Sequence, residues 1–330
     1  MTVLEALVAP ETAGDPMSAQ KWVRSSLRHL SRRLGAAGHP VSPSTVGRLL
    51  VKQGYALRVN EKQVEASAHH PNRDTQFAHL AVQRQVFQAA GLPVISVDTK
   101  KKELVGNFKN AGRVWGRAAT RVNVHDFPTD ALGRAVPYGI YDLAHNQGTI
   151  YVGTSADTPR FAVEVIARWW TEAGHTTFPR ATRLLLLADA GGSNGCRPRL
   201  WKRQLQHDLS AAFGLDVTVG HYPTGCSKYN PIEHRLFGPI SLNWAGQPLR
   251  TWEALLALLR GTATTTGLAV CASLHDQPYA TGERVSDAEM QTLLNLQRHE
   301  VCPTWNYTIR PRAGYARHPH PEPPKREVIS

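Results

Sequence analysis

No run of about 20 apolar residues occurs in the chain, and its N-terminus lacks the charged-then-apolar pattern of a secretion signal, so neither a membrane span nor export is indicated. Acidic residues are in short supply: 26 Asp and Glu stand against 38 Lys and Arg, a formal net charge of +12. Every phosphate neutralised by such a surface releases condensed counterions, so this imbalance selects a polyanionic partner, with nucleic acid as the default. Cysteine is scarce too. Cys196, Cys226, Cys271 and Cys302 lie 30, 45 and 31 positions apart, with no C-x-x-C pair and no paired-histidine spacing, which argues against a zinc site and for reduced thiols. The familiar signatures of covalent or nucleotide chemistry are also missing. Gly191-Gly192-Ser193-Asn194-Gly195 lacks the Lys-Ser/Thr pair of a P-loop and the G-x-S-x-G of a hydrolase elbow. The expectation is a soluble, cytoplasmic, nucleoid-associated protein that binds double-stranded DNA, with no membrane partner and no small-molecule cofactor.

What is present suffices for a sizeable core: 42% of the 330 residues are hydrophobic, enough for one large domain and a small one. Residues 1–56 read as a small all-α region resembling a helix-turn-helix. A segment from Lys21 to Leu34 sets Val23, Leu27, Leu30 and Leu34 on one face. A second helix starts with Ser42 as N-cap and Pro43 in the first turn, carries Val46, Leu49 and Leu50 inward, and stops at Gly54. Its exposed Ser44, Thr45, Arg48 and Lys52 are candidate DNA contacts, against the plainer alternative of a helical cap on the main domain. Residues 57–91 read as a linker and connecting helix, 92–310 as the main domain, and 311–330, rich in Pro, His and charge, as a disordered tail.

The main domain alternates apolar strands with amphipathic helices, the pattern of an α/β sheet flanked by helices. Pro93 to Asp98, Val136 to Leu143 and Thr149 to Thr154 read as three strands. A helix from Pro159 to Ala173 follows, with Trp169 and Trp170 as core residues. Arg183 to Asp189 (RLLLLAD) is a strand buried on both faces. A helix from Arg197 to Phe213, a strand from Leu215 to Val219 and a final helix bearing Glu233 complete the string. Three strands, helix, strand, helix, strand, helix is the element order of the ribonuclease H-like fold.

Asp98 and Asp189 each end a strand, where α/β sheets present ligand groups, and Glu233 lies on the helix after the last strand. Three carboxylates gathered this way repel by roughly 4 kcal/mol per pair at 4 Å and an effective dielectric near 20, so they call for cations. Mg²⁺ or Mn²⁺ is expected, two ions per site, because hard ions take oxygen ligands and an ion pair can activate a hydroxyl while stabilising the leaving oxygen. By position alone Glu103, Asp126 and Asp142 remain alternatives, and a strand-end Asp is often a turn residue.

At VDTKKKELVGNFKN (Val97 to Asn110), VNVHDFP (Val122 to Pro128), ADAGGSNG (Ala188 to Gly195) and SKYNPIEHRLFGPISLNW (Ser227 to Trp244) the chain resembles the ISAzo-type insertion-sequence transposases with a Rhodopirellula-type DDE domain. RWW at Arg168 to Trp170, TTTGL at Thr264 to Leu268 and NYTIRP at Asn306 to Pro311 extend the resemblance over most of the chain. It implies a ribonuclease H-like core with Asp98, Asp189 and Glu233 as first, second and third acids, 91 and 44 residues apart (189 minus 98, 233 minus 189). It further implies Mg²⁺-dependent cleavage at element ends, strand transfer to target DNA, and a homo-oligomer assembled on DNA. Against the family pattern the chain reads as short upstream of its helix-turn-helix, and Ala190 follows the second acid where Ser or Gly is usual.

Around the acids, Lys100, Lys101 and Lys102 are candidate phosphate contacts, as are Lys228, Asn230, His234 and Arg235 beside Glu233. Asn230 and His234 lie near the Glu233 face and are candidates to orient water or phosphate, with a structural hydrogen bond as the alternative for His234. Tyr229, Trp244 and Phe237 could stack on bases, but Phe237 fits the core. Two other functions stay open: a nuclease that cuts without joining, and a truncated element-end-binding protein without catalysis.

Overall fold

The computed structural model describes residues 3–8, 12–14, 21–23, 26–55, 70–114 and 118–312. Two compact units divide between Ala66 and Ser67. The linker expected at 57–91 therefore falls partly, and the tail from 313 onward wholly, outside the described residues.

The N-terminal unit holds α1 (Val3–Val8), a short antiparallel pair β1 (Thr12–Gly14) and β2 (Lys21–Val23), α2 (Leu27–Ala36) and α3 (Pro43–Lys52). The helix expected from Lys21 is thus split. Lys21 to Val23 pairs as strand, and α2 begins only after Ser26, whose hydroxyl accepts from the His29 N–H at 3.2 Å and satisfies one orphan donor of the first turn. Ser42 caps α3 in the same way through the Thr45 N–H. Leu4, Leu30, Leu34, Val46 and Leu50 form the small core. Leu49, expected inward, is 38% exposed.

The second unit opens with α4 (Arg73–Ala89), then β3 (Val94–Thr99), β4 (Glu103–Val105), β5 (Gly133–Asp142) and β6 (Gln147–Gly153). Next come α5 (Pro159–Trp169), a π-helical turn at Trp170–Gly174, α6 (His175–Thr177), β7 (Arg183–Asp189), and α7 (Arg199–Gln204) running into a π-helical stretch at Leu205–Ala211. Then follow β8 (Asp216–Tyr222), the π turn Glu233–Phe237 with α8 (Gly238–Asn243), α9 (Trp252–Arg260), β9 (Ala269–His275), α10 (Asp287–Leu293), β10 (Leu296–Arg298) and β11 (Asn306–Ile309).

The sheet order is β10-β11-β8-β7-β3-β5-β6-β9, with β4 paired to β5. β3, β5 and β6 form an antiparallel meander, while β7 and β8 run parallel to β3 on its other side. That central order, three meander strands followed by two parallel crossovers, is the ribonuclease H-like arrangement. Leu184 to Leu187 of β7 are all fully buried, as a strand covered on both faces requires. One face carries the core of Ile95, Val97, Tyr138, Ile140, Phe161 and Trp201 under α5 and α7. The other carries Leu236, Phe237 and Leu255 in one cluster and Leu80, Phe87 and Leu187 in another. Burying each such side chain stabilises by about 1.5–3 kcal/mol. Trp169, Trp170 and Phe237 are all core.

Candidate active site at the parallel strand ends

Parallel pairing between β3 and β7 sets Val97 opposite Ala188, so the next residues on each strand, Asp98 and Asp189, leave the sheet side by side. Alternation along a strand puts Ser96 and Asp98 on the face opposite Val97. Ala188 belongs to the Val97 core, so Asp189 shares the Asp98 face. Neither carboxyl is fully solvated. Burial, then the charge of Asp189, pushes Asp98 up to about 8, with Glu233 and Asp157 adding to the rise and the Thr99 N–H, which donates to Asp98 Oδ1 at 2.8 Å, opposing it. Burial also raises Asp189 to about 6, against the Asn230 amide, which donates to Asp189 Oδ1 at 3.0 Å.

Glu233 reaches this face from the π turn. Gly238 donates its N–H to the Glu233 carbonyl five residues back, and the following Pro239 has no N–H to give, which favours the wider turn over an α-helical one. The turn lies flat on the sheet because two glycines make room for it. A Cβ on Gly139, the cross-strand partner of Asp98, would come within 2.5 Å of the Phe237 ring and 2.9 Å of Ile232; one on Gly148 would meet Leu236 at 2.3 Å. Burial raises the Glu233 carboxyl, and the charges of Lys100 and His234 pull it back.

Two buried chains hold Asp189 in place. Ser96 donates to Asn230 Oδ1 and accepts from the Ile232 N–H at 3.2 Å, so strand β3, Asn230 and Asp189 are tied together. Behind the strand, Trp201 Nε1–H donates to the Tyr307 hydroxyl at 2.9 Å; because indole can only donate, the tyrosine proton is free for His221 Nε2 at 3.2 Å. His221 then carries its hydrogen on Nδ1 and donates to the Asp189 carbonyl at 2.9 Å. Full burial pushes His221 down to about 4, which keeps it neutral for that role.

The remaining expected site residues separate. Asn230 is fully buried, and its amide donates to Asp189. Lys100 is also buried, its ammonium 4.7 Å from the centre of the Trp244 ring, and burial lowers its pKa. It lies near Glu233 and lines an open cleft with Asp98. Lys101 is exposed and pairs with Glu103 at 3.7 Å, and Lys102 pairs with Asp157 at 3.2 Å. Lys228, Arg235 and His234 are exposed, with His234 Nε2–H donating to the Lys228 carbonyl at 2.5 Å. In the N-terminal unit Ser44, Arg48 and Lys52 are exposed, and Arg48 donates to Thr45 Oγ1 at 3.2 Å. Of the alternative acids, Asp142 sits opposite Ile95, toward the far end of β3, bound to His145; Glu103 pairs with Lys101, and Asp126 is exposed.

Asp157 is the acid that sequence reasoning missed. It accepts from Thr99 Oγ1 at 3.2 Å and lines a cleft of about 420 Å³ with Asp98 and the loop after Asp189. Its signal, an Asp just before Thr158-Pro159, is indistinguishable from an ordinary helix start.

The donor set suits a hard divalent ion: all-oxygen carboxylates that repel one another as they stand. Among the described residues no group of three or more His, Cys, Asp or Glu is already gathered closely enough to hold an ion. The fit therefore lies in donor chemistry and in the face that Asp98 and Asp189 share. Nor, among the described residues, is any helix long and apolar enough to cross a membrane.

The family model described as the Rhodopirellula transposase DDE domain matches residues 3–311. Among solved structures the chain is similar to the Mos1 transposase paired-end complex with left transposon end, at 13% identity and a TM-score of 0.41 over 76% of this chain and 67% of that one. It is similar to the Mos1 strand transfer complex at 13% and 0.41, over 76% and 66%, and to the Mos1 mariner paired-end complex with Mn at 12% and 0.39, over 76% and 67%. No curated protein matches the chain.

Proposed function

The chain belongs to the Rhodopirellula transposase DDE-domain family, and on that premise we propose that Asp98, Asp189 and Glu233 hold divalent ions, Mg²⁺ or Mn²⁺ and two per site, with which the protein cuts DNA at the ends of an insertion sequence and joins it to target DNA. The observation that carries the reading is the pairing of Asp98 and Asp189 at adjacent parallel strand ends, on one face, with both carboxyls pushed up by burial and by their neighbours' charges. Carboxylates left in that state favour a bound cation. Bound ions would supply Lewis-acid stabilisation of the phosphodiester and a deprotonated water or 3′-hydroxyl.

The chain's own residues do the rest. Asn230 fixes the Asp189 carboxylate, and His221 fixes its backbone, so its oxygens are held in one orientation. Lys100, held over Trp244, offsets the charge of Glu233. Exposed Lys101, Lys228 and Arg235 hold the DNA backbone, and Ser44, Thr45, Arg48 and Lys52 of α3 bind element ends as part of a helix-turn-helix. Two ends brought together imply a homo-oligomer on DNA.

The test is incubation of the protein with DNA bearing its element's ends, in Mg²⁺ and in EDTA, beside Asp189→Asn. We expect cutting and joining by the wild type in Mg²⁺ alone, and an Asn variant that binds but does not cut. Mg²⁺-dependent cutting by Asp189→Asn would overturn the assignment. Cutting without joining by the wild type would reduce the function to a nuclease.

A further inference from the structure

The loop that follows Asp189 contains two side chains that no other group uses among the described residues. Asn194 is 1% exposed and Ser193 6%, and among the described residues neither amide atom of Asn194 nor the Ser193 hydroxyl has a hydrogen-bond partner. Asn and Ser in tight loops ordinarily bond back to the local backbone. Here the loop is closed without them: the Gly195 N–H donates to the Gly192 carbonyl at 3.2 Å and the Cys196 N–H to the Ala190 carbonyl at 3.1 Å. Gly192 takes a left-handed φ of +74°, and a Cβ on Gly195 would lie 2.9 Å from the Ala190 carbonyl, so the glycines set the path of the loop. Buried polar groups left without partners are costly, and in a native protein they call for a ligand or another specific explanation.

Both residues line the cleft that also contains Asp98, Asp157, Lys100, Lys101 and Lys102. We propose that Asn194 and Ser193 form a subsite for a phosphodiester group of the DNA strand, the Asn194 amide N–H and the Ser193 O–H donating to its non-bridging oxygens. The inference rests on the reading of this cleft as the place where phosphodiesters are cut. Of the cations in the same cleft, Lys102 is paired with Asp157 at 3.2 Å and Lys100 is held over Trp244, whereas Asn194 and Ser193 are neutral donors without a partner among the described residues. The Asn194 amide and the Ser193 hydroxyl, bonded to none of the cleft's carboxylates, stay available to an anion. The Asn194 carbonyl oxygen remains an acceptor for the attacking water or hydroxyl.

The side-chain amide resonances of Asn194, assigned by their absence from Asn194→Ala, report the contact directly. They would be followed while protein is titrated with a short duplex bearing the element's end, once with Ca²⁺ and once with EDTA, and in a parallel series with inorganic phosphate. A shift with the duplex in either arm supports the subsite, together with end-DNA affinity weakened about 10- to 100-fold in Asn194→Ala and less in Ser193→Ala. Because the amide has no partner to lose, Asn194→Ala should melt at the same temperature as the wild type or higher, a result a structural role would not give. Resonances unmoved by saturating duplex in both arms overturn the proposal, and so does a shift with inorganic phosphate alone. Should Asn194→Ala melt lower and also bind more weakly, the resonances decide. The EDTA arm does not depend on metal ligation, so cutting by Asp189→Asn would sink the metal assignment while leaving an amide shift standing.

Discussion

Replacing Asp98 with Asn removes a carboxyl that burial, and after it the charge of Asp189, pushes from 3.8 up to about 8. For an acid whose folded pKa is raised, the unfolded chain ionises first. Stability of the metal-free protein therefore falls as pH climbs from about 4 through about 8, and stays low above that. At 1.36 kcal/mol per pH unit over about four units, the ceiling on the loss is about 5 kcal/mol. Water reaching the cleft screens part of it, so about 2–4 kcal/mol is the working figure. For a unit of this size that corresponds to about 4–8 °C in melting temperature. Asn keeps the shape and carries no charge. In EDTA at pH 8.5, Asp98→Asn should melt about 4–8 °C above the wild type, and the gap should close near pH 4, where both side chains are neutral. Adding Mg²⁺ at pH 8.5 should raise the wild type and leave the variant unmoved. A variant that melts below the wild type at pH 8.5 in EDTA would refute the reasoning, because it would show the ionised carboxylate to be stabilising without an ion.

Four further outcomes follow from the same geometry. Tyr307→Phe strands the Trp201 N–H and leaves His221 Nε2 unpaired, so it should cost about 1–3 kcal/mol by denaturant titration and lower cutting while end binding persists. Gly139→Ala forces a methyl against Phe237 and Ile232, so it should slow cutting more than it weakens DNA binding; an unchanged cutting rate would show that the Glu233 turn tolerates displacement. Arg48→Ala and Lys52→Ala should weaken end binding and each flatten the salt dependence by about one unit of slope in log affinity against log salt, measured by fluorescence anisotropy. Tyr138, whose buried hydroxyl has no partner among the described residues, should tolerate Phe with melting temperature unchanged or raised, as calorimetry would show.

Much of this arrangement was legible in the residues. RLLLLAD announces a strand covered on both faces because nothing in it can face water, and its closing Asp follows from where such strands end. Ser42-Pro43 fixes the start of α3 through capping chemistry that acts over three residues. Where the determinants are long-range, the sequence was silent. That Asn230 would be buried between Ser96 and Asp189 depends on a π turn laid across Gly139, and no local spacing encodes that approach. Lys100 reads as a solvated cation until Trp244, 144 positions later, comes to lie beneath it. The outer strands β9, β10 and β11 are short or alternate weakly, and only pairing, of β9 with β6, of β11 with β8 and of β10 with β11, makes them strands. Lys21 to Leu34 shows the reverse error: apolar spacing compatible with one helix runs through Ser26, which starts a new one.

The metal assignment is tested most directly by crystals of the protein bound to end-bearing DNA and soaked in Mn²⁺, read by anomalous diffraction. Mn²⁺ peaks are expected between the carboxylates of Asp98 and Asp189, with Glu233 drawn onto one of them. Cutting-competent crystals with no peak at that pair, or with Mn²⁺ held by other residues, would contradict it.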